Sequence, residues 1–181
     1  HLAGWPRSAG QLPVISVNLS ARQLADDALL PHVVAALKRY DLAPATLGFE
    51  VTESMRIDDP AAAAGTLRSL SDLGCRVAVD DFGIGYASLD YLRHFSMADL
   101  LKIDRSFIAG LGQSREDTAI VNASLALASS LKMRVVAEGV ETRKQPQFLV
   151  ENGCRLFQGY LFSKPVPAEA FETYVMAASP A

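Results

Sequence analysis

The feature that most narrows the fold is one local pattern repeated along the chain. A short apolar run ends in a polar side chain, and a helical segment follows. The pattern occurs six times, at Pro13 to Asn18 (PVISVN), Thr46 to Glu50 (TLGFE), Cys75 to Asp81 (CRVAVDD), Asp99 to Lys102 (DLLK), Arg134 to Glu138 (RVVAE) and Cys154 to Gln158 (CRLFQ). The brevity of these runs, and the β-branched residues in several, favour strands over helices. Near-continuous apolar strands that alternate with helices are the mark of parallel strands buried on both faces.

Helix signals fill the gaps. Ser20 and Gln23 have capping-box spacing. His32 to Arg39 is amphipathic, with Pro31 tolerable in a first turn. Asp59-Pro60 starts a helix through Leu70 and Leu73 that Gly74 stops. Glu116 to Leu131 carries Ile120, Val121, Leu127, Ala128 and Leu131 at helical spacing, facing the core. Glu141 to Asn152 reads as a helix closed by Asn152-Gly153, and Pro167 opens a last one through Tyr174. No Pro/Gly/Ser-rich linker or charge block interrupts, so residues 1–181 read as one domain.

A doubly wound sheet and a (β/α)8 barrel both fit this alternation. The barrel is favoured because nearly every strand ends in a charged or amide side chain, and that rim carries barrel active sites. A dinucleotide-binding sheet would show a Gly-rich loop after the first strand, and VNLSARQ has none. A complete barrel has eight strands in about 250 residues, against six strands in 181 residues here. The reading is therefore an α/β, TIM-like (β/α)8 barrel that is incomplete, with about six of eight strands present. The shortfall falls at the front, where HLAGWPRSAGQLP looks like the tail of a helix.

Composition excludes several function classes. With 50% apolar and 20% charged residues the chain is globular. A net charge of −3 argues against a DNA or RNA polymer as partner. Apolar runs are far shorter than the ~20 residues of a membrane span, and the N-terminus has no signal-peptide pattern. Cys75 and Cys154 form no CxxC and begin strands at the opposite end from the polar rim, which points to buried packing rather than zinc or disulfide chemistry. The expected location is cytoplasmic, with both thiols reduced.

The strand ends collect Asn18, Glu50, Asp80, Asp81, Lys102, Glu138 and Gln158. Carboxylates packed together repel and have raised pKa values unless cations intervene. An all-oxygen donor set suits Mg2+ or Mn2+ rather than zinc. Adjacent aspartates can feed two neighbouring ions, and a pair of ions ~4 Å apart is common machinery for phosphodiester hydrolysis. Lys102, the sole strand-end cation, suits a phosphate oxygen or hydroxide, and Asp104 two residues on supports the same face. Each residue also has a plainer reading. Asp81 or Asp104 could cap a turn, Lys102 could pair with Asp80, Glu53 could be a surface charge, and Gln158 could satisfy backbone groups. His1, His32 and His94 read as surface or helix-packing residues, and Arg105 and Phe107 as loop packing.

The segments VNLSARQ, FEVTES, VAVDDFGIGYASLDYL, LKIDRSFI, VVAEGVET and FQGYLFSKP resemble, in order and spacing, the EAL-type cyclic di-GMP phosphodiesterase domain, from about Leu2 to Tyr174. The resemblance implies a TIM-like barrel whose first strand is antiparallel, hydrolysis of cyclic di-GMP to linear pGpG, and two Mg2+ or Mn2+ ions, with Ca2+ inhibitory. It implies Asn18, Glu50 and Asp80 as ligands of the first ion, with Asp80 bridging and Asp81 and Glu138 serving the second. Glu138 would also be the general base and Lys102 the contact to the nucleophilic water and phosphate. Glu53 would hold the loop after the double aspartate, with Glu141 and Gln158 supporting. It also implies sensory or cyclase domains, including a membrane tether, in a full protein, while the open edges of an incomplete barrel predict a homodimer or other self-association.

Two departures stand out. The Glu-Ala-Leu motif, whose glutamate is a metal ligand in the family, is absent, and only 17 residues precede Asn18. The loop reads FGIGYAS where the family usually has FGTGYSS, so Ile84 and Ala87 replace two hydroxyls. The expectation is a domain lacking its first two strands and one metal ligand, hence impaired in catalysis, with open sheet edges at the Asn18 and Gln158 strands. The alternatives are a receptor that binds cyclic di-GMP without cutting it, and a different metal-dependent barrel enzyme that uses Lys102 as a base.

Overall fold

The computed structural model describes residues 13–84 and 95–178, the last five by backbone alone. His1, His94, Ala87 and the FGIGYAS loop beyond Ile84 lie outside the described residues, as does the opening segment up to residue 12. Six strands form one sheet: β1 (Ile15–Asn18), β2 (Leu47–Thr52), β3 (Arg76–Phe82), β4 (Leu100–Ile103), β5 (Arg134–Ala137) and β6 (Leu156–Phe157). The helices are α1 (Ala21–Leu24), α2 (Leu29–Arg39), α3 (Pro60–Asp72), α4 (Arg105–Ala109), α5 (Arg115–Ser130), α6 (Lys144–Glu151) and α7 (Ala168–Ala178). None of them is long and apolar enough to cross a membrane.

All neighbouring strands are parallel, and their spatial order is β1-β2-β3-β4-β5-β6, the same as their sequence order. A doubly wound sheet reverses its order at a switch point, whereas a barrel wall places each strand beside the next. The chain is thus a six-stranded arc of a TIM-like barrel wall, with β1 and β6 as its edges among the described residues. Alternate strand residues face the helices. Phe49, Val51, Val77, Val79, Leu101, Ile103, Val135 and Ala137 are at most 8% exposed and pack in one cluster with Leu67 and Leu70 of α3, Val121 and Ala128 of α5 and Leu149 of α6. The period of two then turns Glu50, Asp80 and Lys102 to the other face, away from the helices.

Local chemistry sets the helix ends. Ser20 and Gln23 close a reciprocal capping box on α1. Asp59 Oδ1 accepts the Ala61 and Ala62 N–H groups at the start of α3, with Pro60 in the first turn. Gly74 ends that segment at φ +100°. At the N-terminal end of the sheet, Asp99 joins three strands: it accepts the Val77 N–H and pairs with Arg76 at 3.2 Å and Arg134 at 3.0 Å. Cys75 and Cys154 are free and buried, and burial pushes both thiols up.

Three sequence expectations need correction. Helix α6 begins at Lys144 rather than Glu141, because the side chain of Gln145 takes the Glu141 and Thr142 N–H groups and holds them in a turn outside the helix. Leu131 is the C-cap of α5 and is 46% exposed, since the helix stops before bringing it to the core. Glu50 does not end its strand, because β2 runs on to Thr52.

Gly65 lies inside α3 with open space around a built Cβ, while Gly74 has a positive φ and its Cβ would lie 3.4 Å from Pro44. Gly65→Ala is expected to stabilise the chain by about 0.5–1 kcal/mol. Gly74→Ala is expected to destabilise it by about 1–2 kcal/mol. Urea unfolding of the two variants beside the parent chain checks both signs.

Candidate active site

Towards the C-terminal end of the sheet the Lys102 ammonium sits among three carboxylates, two within strands β2 and β3 and one just after β5. Its Nζ lies 2.6 Å from Glu50 Oε2, 3.0 Å from Asp80 Oδ1 and 2.7 Å from Glu138 Oε1. Glu50 comes from β2, Asp80 from β3 and Lys102 from β4, and Glu138 directly follows β5. The Glu138 N–H donates to Ile103 O at 3.1 Å, which carries the β4–β5 ladder one residue further.

Asp81 joins the group through an irregularity in β3. Val79 pairs with Leu101 and Phe82 with Ile103, so Asp80 and Asp81 together stand opposite Lys102 alone. That is a bulge of two residues against one. Asp81 takes a left-handed φ of 54°, and its N–H donates to Asp80 Oδ1 at 3.0 Å. As a result, carboxylate oxygens of Asp80, Asp81 and Glu138 lie within 4.8 Å of one another, an arrangement that could hold a metal ion.

The electrostatics follow from this crowding. Burial pushes the Asp81 carboxyl up; Asp80 and Asp104 add to the push, Lys102 pulls it down and Glu50 raises it slightly. Burial also raises Glu138, against the hydrogen bond and charge of Lys102 and with the help of Asp80 and Glu50. For Lys102, burial acts downward, but Glu138 and Glu50 outweigh it and the ammonium is held charged far above neutral pH. Four carboxylates against one ammonium leave a surplus of negative charge that a divalent cation neutralises. The donors are all oxygens, which fits a hard cation.

Around this centre, Glu53 Oε2 accepts the Gly83 N–H at 2.9 Å, and the Glu53 N–H donates to Asp80 O at 3.1 Å, so Glu53 spans the double aspartate. Its Oε1 is buried without a hydrogen-bond partner among the described residues. Asp104, 8% exposed, is the N-cap of α4 and accepts the Ser106 N–H and hydroxyl. Asn18 stands in register with Glu50 on β1, an edge strand among the described residues, and is exposed. Glu141 and Gln158 are exposed and line a cleft of about 600 Å³ beside Glu138, with Arg105, Tyr160 and Lys164. Sequence reasoning assigned Arg105 to packing and passed over Tyr160 and Lys164; an aromatic and a cation four residues apart just after Gln158 are the signal that was there to use, and the Lys164 ammonium lies 5.8 Å from the Tyr160 ring centroid.

Comparison with known proteins gives the family. Residues 1–165 match the EAL domain. The bifunctional diguanylate cyclase/cyclic di-GMP phosphodiesterase MucR of Pseudomonas aeruginosa is 46% identical over 155 residues, which is 86% of this chain and 22% of MucR. The EAL domain of Mycobacterium smegmatis DcpA superimposes with a TM-score of 0.86 at 38% identity, over 93% of this chain and 75% of that one. Klebsiella pneumoniae BlrP1, solved with manganese and cyclic di-GMP, superimposes with a TM-score of 0.76 at 33% identity, over 84% of this chain and 39% of that one. The chain spans between 20% and 26% of the length of the curated relatives heading the comparison. With the parallel arc, the rim of carboxylates and the matched sequence in agreement, the chain belongs to the EAL domain family.

Proposed function

We propose that this domain hydrolyses cyclic di-GMP to linear pGpG with the help of two divalent cations, Mg2+ or Mn2+. The observation that carries the reading is the convergence of Glu50, Asp80, Asp81 and Glu138 about Lys102 at one end of the barrel wall. Asp80, Asp81 and Glu138 would hold one ion, and Asn18 and Glu50 together with Asp80 the other. Bound there, the ions supply Lewis acidity towards the phosphate and lower the pKa of water. Calcium, larger and looser in its geometry, would occupy the site without supporting turnover.

The protein groups divide the remaining work. The Glu138 carboxylate takes the proton of the attacking water as general base. Lys102 stays protonated, so it serves as a donor to phosphate oxygens as negative charge builds there. The same upward shift argues against a barrel enzyme that uses Lys102 to abstract a proton. Glu53 holds the backbone on both sides of the double aspartate. Asp104 fixes the start of α4, and Glu141 and Gln158 stand at the cleft that would take a nucleotide half. Its volume of about 600 Å³ suits such a group, and the exposed Tyr160 ring offers a face to a base.

Incubation of the chain with cyclic di-GMP and Mn2+ should yield pGpG by chromatography. Glu138→Gln and Lys102→Ala are each expected to lower the rate by about 10²–10⁴-fold. No EAL glutamate lies within these 181 residues, so the absolute rate should fall below that of a domain that carries one. Calorimetric binding of cyclic di-GMP with no pGpG in either Mg2+ or Mn2+ would replace this reading with that of a receptor.

Asp81→Asn removes a carboxylate that burial, with Asp80 and Asp104 adding to it, pushes towards protonation. Without metal, the variant should melt no lower than the parent. With Mn2+, the parent should gain about 2.7 kcal/mol at a hundred times its Kd, and the variant should lose most of that gain. Thermal melts with and without Mn2+ read both effects.

We also propose that the isolated chain self-associates through its sheet edges. Val14 and Val17 at β1, an edge strand among the described residues, are 42% and 43% exposed, and Leu156 on β6, the other edge among them, is 37% exposed. Edges of this kind recruit other strands. Light scattering should show oligomers that grow with concentration, and Val17→Lys should reduce them. A monodisperse monomer would contradict the proposal.

A further inference from the structure

Seven polar or charged side chains are buried among the described residues: Thr46, Glu53, Asp80, Lys102, Asp104, Ser124 and Gln145. Thr46 and Ser124 bond to backbone carbonyls three and four residues earlier. Glu53, Asp80, Lys102 and Asp104 belong to the acidic centre or its immediate brace. Gln145, 8% exposed, has no place in that account. Its Oε1 accepts the Glu141 and Thr142 N–H groups, both at 2.8 Å, and its Nε2 donates to Ile108 O at 2.8 Å, 37 residues away in sequence. A buried amide that satisfies three partners on two separate segments is expensive to replace, because each partner would be left unpaired.

The two segments it joins both lead out of the site. One is the loop after Glu138. The other is α4, which follows Lys102 and Asp104. They also touch at a second point, because Gly139, at φ +67°, leaves no room for a Cβ against Arg105, the first residue of α4. On its other flank the loop is held by backbone hydrogen bonds, with the Val140 N–H donating to Gln158 O at 3.0 Å and Val140 O accepting the Leu161 N–H at 2.9 Å, and by the Val140 side chain, which is buried in the core. Gln145 is therefore a second side-chain tie between the Glu138 loop and the Lys102 segment, behind the direct Lys102–Glu138 pair.

We infer that Gln145 is a positioning residue of the active site: by clamping the Glu141–Thr142 backbone to Ile108, it holds the Glu138 carboxylate in place opposite Lys102 and Asp80. A cap on α6 would account for the two bonds to Oε1, but the bond from Nε2 to Ile108 adds nothing to a cap. Gln145→Glu separates the two roles. Its carboxylate keeps the acceptor for Glu141 and Thr142, yet it turns an oxygen lone pair towards the Ile108 carbonyl. Gln145→Met keeps the shape and removes both functions.

The inference rests on the reading of Glu138 as a metal-binding and proton-accepting group, so the test has two independent parts. The first is hydrogen–deuterium exchange on the metal-free chain. Gln145→Glu should raise exchange several-fold in peptides covering residues 138–142 and 106–111, with a melting temperature lowered less than in Gln145→Met because the Glu141 and Thr142 acceptor is kept. The second is Mn2+ titration with steady-state kinetics. Affinity should fall about 10–100-fold, as for other groups that orient metal ligands, and kcat should fall more than KM rises. Gln145→Met should show the same changes with a lower melting temperature. If Gln145→Glu matches the parent in exchange and in Mn2+ affinity, Gln145 is a helix cap and the inference is overturned. If the parent itself binds no Mn2+, the phosphodiesterase reading fails, while the exchange result still decides whether Gln145 clamps the two segments.

Discussion

Much of this structure depends on a break in regularity one residue long. In an ordinary strand, adjacent side chains leave on opposite faces, so two consecutive aspartates could not both reach one cation. Here Asp80 and Asp81 stand opposite the single residue Lys102, and Asp81 turns through a left-handed φ of 54°. Aspartate is among the few residues with a side chain that tolerates this conformation. The Asp81 N–H returns to its neighbour's Oδ1 at 3.0 Å, so the turn satisfies a backbone donor that the broken ladder had left free. Glu53 braces the same point through Asp80 O and the Gly83 N–H.

The bulge sets up the electrostatic tension of the domain. It adds a fourth carboxylate to a group that has one ammonium. Burial is the main cause that raises Asp81 and Glu138, and the neighbouring carboxylates add to it. Breaking such a cluster by removing Lys102 would leave buried carboxylates unpaired, which destabilises far more than losing an exposed pair such as Arg134–Asp99. The apolar face of the same strands offsets the tension. Val79, Leu101 and Ile103 are fully buried against the helices, so each strand anchors the charged group beside it with side chains that cannot shift.

Much of the fold was legible because its signals are local. Each strand is a short apolar run, and Ser20 with Gln23 or Asp59 with Pro60 marks a helix start within four residues. The sequential strand order is a long-range property, and it was readable only through the polar strand ends that favoured a barrel. The bulge was not readable, because VAVDDF looks like a straight strand until β4 is laid against it. The start of α6 was misjudged for a related reason. Glu141 and Thr142 have helix-compatible side chains, but the fate of their N–H groups depends on Gln145, whose own orientation is fixed by Ile108 from another part of the chain. Among the site residues, the acidic group was visible as a set of strand ends, whereas the exposure of Asn18 and the cleft formed by Tyr160 and Lys164 are products of packing.

The acidic cup is not built equally on its two sides. Asp80 and Lys102 are 8% and 7% exposed, and the group formed by Asp80, Asp81 and Glu138 is enclosed by β3, β4 and β5 with Glu53 and the Gln145 contact behind it. Across the cup, the Glu50 side chain is as enclosed as that of Glu138, at 12% against 16% exposed, whereas Asn18 lies on β1, where three of the four residues are exposed. Ligands already in position lose little freedom on binding a cation, while those on an open edge must be ordered first. Anything that pairs with β1 would therefore act on Asn18 first and leave the group formed by Glu50, Asp80, Asp81 and Glu138 nearly unchanged.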